Sequence, residues 1–72
     1  MKEINTLPAT PTEDDKVLVK MIADGMSGGQ IAKKMKINKN TLAFNLSVLR
    51  AKFNVSNSTE LVALFLRNGI ID

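Results

Sequence analysis

The chain has 72 residues, 44% of them hydrophobic, no cysteine or histidine, and a formal net charge of +3; a length of this order gives one small domain whose marginal core claims most apolar positions. Without cysteine or histidine the usual zinc ligands, thiol nucleophiles and neutral-pH bases are missing, and no nucleophile–base pair stands out, so neither an enzyme nor a cofactor site is expected. The longest apolar run, "LVALFL", is far too short to span a bilayer, and "MKEINTLPATP" has no apolar signal region, so a cytoplasmic chain without membrane association is expected.

Residues 1–11 read as a flexible tail, because each proline of "LPATP" restricts itself and its predecessor, and residues 12–72 read as the domain. Thr12 is a good N-cap for a first helix, with Glu13, Asp14 and Asp15 on the turn where the helix dipole favours negative charge. Val17, Leu18, Met21 and Ile22 follow the i, i+3, i+4 spacing of a buried stripe, and Gly25 stops the helix as a left-handed residue. Ser27 and Gln30 have the spacing of a capping box for a second helix, although Gly28 and Gly29 in its first turn each cost roughly 1 kcal/mol relative to alanine. That helix turns Ile31, Ala32 and Met35 inward and ends before Ile37.

Asn38 caps a third helix that reaches about Phe53, with Asn54 as a left-handed stop. Asn57 caps a fourth, with Glu60 completing a second capping box and Gly69 ending it. The expected fold is therefore all-α, a small four-helix bundle. The tight turn in "KKMKIN" folds the third helix across the second, the helix-turn-helix arrangement.

At about 100° per residue, Leu42, Leu46, Leu49 and Phe53 fall on one side of the third helix and form its core stripe. Asn40, Phe44, Ser47 and Ala51 lie opposite, with Ala43 and Val48 at the edges of that outer face. On the fourth helix Leu61, Leu64 and Phe65 share the inner face. Val62, Ala63 and Leu66 form a second apolar strip suited to a two-fold partner, unless Leu7 or Ile4 of the tail covers it. Charge is segregated too. Lys33, Lys34, Lys36, Lys39, Arg50 and Lys52 lie between Gly25 and Thr59, a window without a single acidic residue, and such a positive face suits a polyanion.

The stretches "IADGMSGGQIAKKMKINKNT" and "VLRAKFNVSNSTELVALFLRNGII" resemble the LuxR-type (GerE-like) helix-turn-helix domain of bacterial transcription regulators, over about Thr12 to Ile71. The most specific matches are Gly25-x-Ser27, Ile31-Ala32, Ile37, Thr41, "FNVSN" and "LRNGII". The resemblance implies a double-stranded DNA partner, a third helix in the major groove and a homodimer through the fourth helix at Val62, Ala63 and Leu66. It places Ser27, Gly28, Gly29, Thr41 and Lys52 near phosphate, and Ala43, Phe44 and Ser47 at base edges. Asn40 can pair with adenine, and Lys33, Lys34, Lys36, Lys39 and Arg50 add phosphate contacts. Ala43, Phe44 and Asn45 depart from the family's usual lysine, polar or valine, and histidine; Glu13 and Asp14 stand where it has proline and arginine. An alternative follows from Phe44: a protein-interaction module, or an antagonist of a related regulator, that uses the apolar outer face of the third helix.

Overall fold

The computed structural model describes residues 7–72, and among them four α-helices and no strand: α1 (Glu13–Ala23), α2 (Gly28–Met35), α3 (Lys39–Lys52) and α4 (Ser58–Arg67). The four expected N-caps all form, each side chain accepting the N–H three residues on. Asp15 N–H donates to Thr12 Oγ1 at 3.1 Å, Gln30 to Ser27 Oγ at 3.2 Å, Thr41 to Asn38 Oδ1 at 2.8 Å and Glu60 to Asn57 Oδ1 at 2.8 Å. Gln30 closes the expected capping box by accepting the Ser27 N–H at 2.8 Å, and Asp15 closes a further one on the Thr12 N–H at 3.0 Å. The Glu60 box is displaced by one residue. Asn57 is extended at φ −154°, and the Glu60 carboxylate takes the N–H of Ser56 at 2.6 Å instead.

All four helices end the same way, in a left-handed residue followed by an apolar one. The left-handed residues are Gly25 (φ 84°), Lys36 (φ 61°), Asn54 (φ 58°) and Gly69 (φ 68°). The N–H groups of the following Met26, Ile37, Val55 and Ile70 reach back five residues to Met21, Ala32, Arg50 and Phe65, at 3.2, 2.9, 3.0 and 2.9 Å. This is the Schellman arrangement, and each of the four apolar residues packs against the core. Lys36 is the one left-handed position that the sequence does not signal, since its side chain neither relieves the steric clash there nor bonds locally as asparagine can.

The core joins Leu18, Val19 and Met21 of α1, Ile31 and Ala32 of α2, Leu42 and Leu49 of α3, Leu61 and Phe65 of α4, with Phe53 and Ile71. Phe53 and Phe65 meet edge to face, ring centroids 5.1 Å apart at 79°, the geometry that aromatic quadrupoles prefer. The stripe expected on α1 needs correction. Val17 is 53% exposed and Val19 is fully buried. The α1 helix packs chiefly on α4 but also on α2, so its buried arc runs from Met21 through Leu18 and Ile22 to Val19, not back to Val17. Leu46 is half-buried against the core, as its place in the inner stripe of α3 requires.

Leu7 and Ala9 also lie partly buried against the core, so packing begins before Thr12; Ile4 lies outside the described residues. Among the described residues no helix is long and apolar enough to cross a membrane.

Candidate nucleic-acid interface

The α2 and α3 helices pack directly on one another, joined by the turn at Lys36, Ile37 and Asn38. Leu42 and Leu49 pin the inner side of α3, so its other side must face solvent. Asn40, Ala43, Phe44, Ser47, Val48 and Ala51 are accordingly all exposed, Phe44 to 68% and Val48 to 50%. The four residues expected to meet base edges therefore share one accessible surface.

The N-terminal end of that surface adjoins the start of α2. Here Ser27, Gly28 and Gly29 are exposed, and the stem of Lys39 lies alongside them. A Cβ added at Gly29 would sit 3.6 Å from Lys39 Cε, and one at Gly28 would sit 3.9 Å from Leu42 Cδ2. Both are ordinary contacts, so internal packing does not require either glycine. The α2 N-terminus offers unbonded N–H groups and positive dipole charge at this corner, while Ser27 Oγ accepts from Gln30 and keeps its own hydrogen to donate. Lys36, left-handed and exposed, lies at the opposite, C-terminal end of α2, and Thr41 is exposed in the first turn of α3.

Not every expected phosphate ligand gathers there. Lys33 is exposed on α2, and Arg50 is half-buried on α3. Lys34 faces elsewhere, bordering a groove of about 360 Å³ floored by Val17, Met21, Ile70 and Ile71, with Lys16 and Lys20 on the same rim. That groove takes no residue from α3.

The surroundings of Lys52 were not evident from sequence. Its ammonium lies 2.7 Å from Asp15 Oδ2, with the side chains 31% and 18% exposed, and 5.4 Å from the centre of the Phe53 ring. Burial pushes the Asp15 carboxyl up, but the Lys52 ammonium and the bonds to Thr12 outweigh it and hold the carboxyl below its ordinary range. Asp14 and Asp15 line a second cleft of about 360 Å³ together with Phe44, Asn45, Val48 and Lys52. Acidic residues of α1 thus border the outer face of α3, which the spacing Thr12-x-x-Asp15 hints at only as a helix cap.

Among the described residues no cluster of acidic, histidine or cysteine side chains could hold a metal ion. No curated protein and no solved structure matches the chain. The profile of the bacterial regulatory proteins of the luxR family (GerE) matches residues 12–65, from the cap of α1 to Phe65 in α4. The chain therefore belongs to the luxR family, and its four helices form that family's DNA-binding helix-turn-helix domain.

Proposed function

We propose that this domain regulates transcription by laying α3 in the major groove of duplex DNA, as a dimer joined through α4. The observation that carries this reading is the exposed corner where Ser27, Gly28, Gly29 and Lys39 meet beside the outer face of α3. Backbone N–H groups at a helix start, a hydroxyl and a lysine are the groups that position phosphate. Glycines that the interior does not require leave room for a backbone approaching from outside. Beyond that corner Asn40 reads adenine, while Ala43 and Phe44 press on thymine methyl groups, so the base reading is light and favours A·T-rich sites. Val62 and Ala63, half-buried, and Leu66, 48% exposed, supply the apolar strip for the second copy.

Selection of bound duplexes from a random pool at two salt concentrations tests the reading. Enrichment of an A·T-leaning palindrome, with retention falling as salt rises, is the expected result. Retention that ignores salt, or no enrichment and no retention, would contradict it.

The exposure of Phe44 and Val48 beside an acidic cleft supports a second reading, a protein-docking surface on the same face. Under that reading the parent binds no duplex, and Phe44→Ala abolishes capture of a protein partner. Under the first, Lys36→Glu with Lys39→Glu abolishes DNA binding while Phe44→Ala only weakens base preference.

A further inference from the structure

We propose that Asp15 acts as an internal stand-in for DNA phosphate, holding the Lys52 ammonium out of duplex contact and so lowering the domain's affinity for DNA. The inference rests on the DNA reading of α3. Lys52 lies one turn beyond Val48 and lines the same cleft as Phe44, Asn45 and Val48, so a duplex seated on the outer face passes beside it. Its ammonium is already met at 2.7 Å by a carboxylate from α1. That carboxylate is itself fixed, because Oδ2 also accepts the Thr12 N–H at 3.0 Å within the α1 capping box.

The other ion pairs of α1 are looser. Lys16–Glu13 has side chains 40% and 86% exposed, Lys20–Asp24 has 41% and 55%, and Lys20 also pairs with the fully exposed Asp72. Such exposed pairs contribute little and exchange readily for another anion. The Asp15–Lys52 pair is part-buried, less exposed than these, and it spans two helices. A phosphate approaching Lys52 must either break it or settle beside the Asp14 and Asp15 carboxylates. A cation neutralised in this way releases no counterion on DNA, so Lys52 adds nothing to the salt dependence of binding.

The test is the slope of log affinity against log salt on mixed-sequence duplex DNA, measured for the parent, Lys52→Gln, Asp15→Asn, the double variant and Asp14→Asn. Asparagine retains an oxygen for the Thr12 N–H, so Asp15→Asn releases Lys52 while keeping the cap. We expect Lys52→Gln to leave the slope at the parent's value. Asp15→Asn should steepen the slope by about 0.9 and tighten binding about eightfold near 0.1 M salt, the contribution of one further phosphate. That gain should vanish in the double variant and be absent in Asp14→Asn, which makes the same change in net charge.

Three results would overturn the proposal while leaving the DNA reading in place. The first is a slope reduced by about one contact in Lys52→Gln alone. The second is an Asp15→Asn gain that Asp14→Asn matches and that survives in the double variant, since this would be general repulsion. The third is no gain in a folded Asp15→Asn protein, which would make the pair merely structural. Should Asp15→Asn fail to fold, Lys52→Gln decides alone. If neither the parent nor any variant binds duplex even at low salt, the DNA reading falls and the proposal with it.

Discussion

At the N-terminal end of α3, Lys39 stands exposed beside the bare first turn of α2, and farther along Phe44 projects into solvent. At the C-terminal end Lys52 is clamped by Asp15, and Phe53 is buried against Phe65. Each end offers a cation and an aromatic ring, and the two are used oppositely: one end is open to a ligand, the other anchors the helix. A count of basic residues therefore overstates the cationic surface open to a ligand, because what a lysine already touches decides whether its charge is free.

The anchored end gives the largest expected effect. Phe53→Ala removes half of the edge-to-face pair and leaves a cavity in the core beside Phe65, a loss of about 3–5 kcal/mol that rivals the whole stability of a domain this small. Phe44→Ala at the open end should leave stability within about 0.5 kcal/mol, with any change confined to base preference. Thermal or urea unfolding of the two variants checks the contrast. Similar losses would mean that Phe44 also packs, and the division between the ends would fail.

A smaller effect of opposite sign is expected at Lys36. Its φ of 61° is a conformation that glycine adopts freely and lysine does not, so Lys36→Gly should raise stability by about 1 kcal/mol, or several degrees in Tm. The same change should weaken DNA binding by the loss of one phosphate contact, about eightfold near 0.1 M salt. A variant that gains stability and keeps its affinity would remove Lys36 from the proposed phosphate contacts.

The smallest effect concerns acid. The Asp15 carboxyl is held below its ordinary value of 3.8 in the folded chain. A depressed carboxylate contributes stability that is fully present above its unfolded pKa and is lost as pH falls through the folded one. Unfolding free energy should therefore drop as pH goes from about 4 downward, and Asp15→Asn should flatten that part of the profile. An unchanged acid limb in the variant would show that the clamp adds nothing to folding.

Much of this was legible in the sequence. Thr12, Ser27, Asn38 and Asn57 announce the helix starts because a short polar side chain there bonds the third N–H, and Gly25, Asn54 and Gly69 announce three of the ends. The fourth end was masked by the identity of Lys36, although the apolar Ile37 after it fits the pattern shared by Met26, Val55 and Ile70. On α1 the run Val17-Leu18-Val19 leaves the phase of the buried arc open, and packing on both α4 and α2 settles it. The outward face of α3 followed from helical geometry alone. What could not be read were relations across helices: Lys34 turned to the groove of α1 and the C-terminal residues, and Asp15 reaching Lys52 at a sequence separation of 37.

The measurement that bears most directly on the two-ended account of α3 is the salt dependence of duplex binding for Lys39→Gln and Lys52→Gln, side by side. Lys39→Gln should reduce the slope by about 0.9, the mark of one lost phosphate contact, while Lys52→Gln leaves it unchanged. Equal reductions in the two variants, or a reduction in Lys52→Gln alone, would contradict the account.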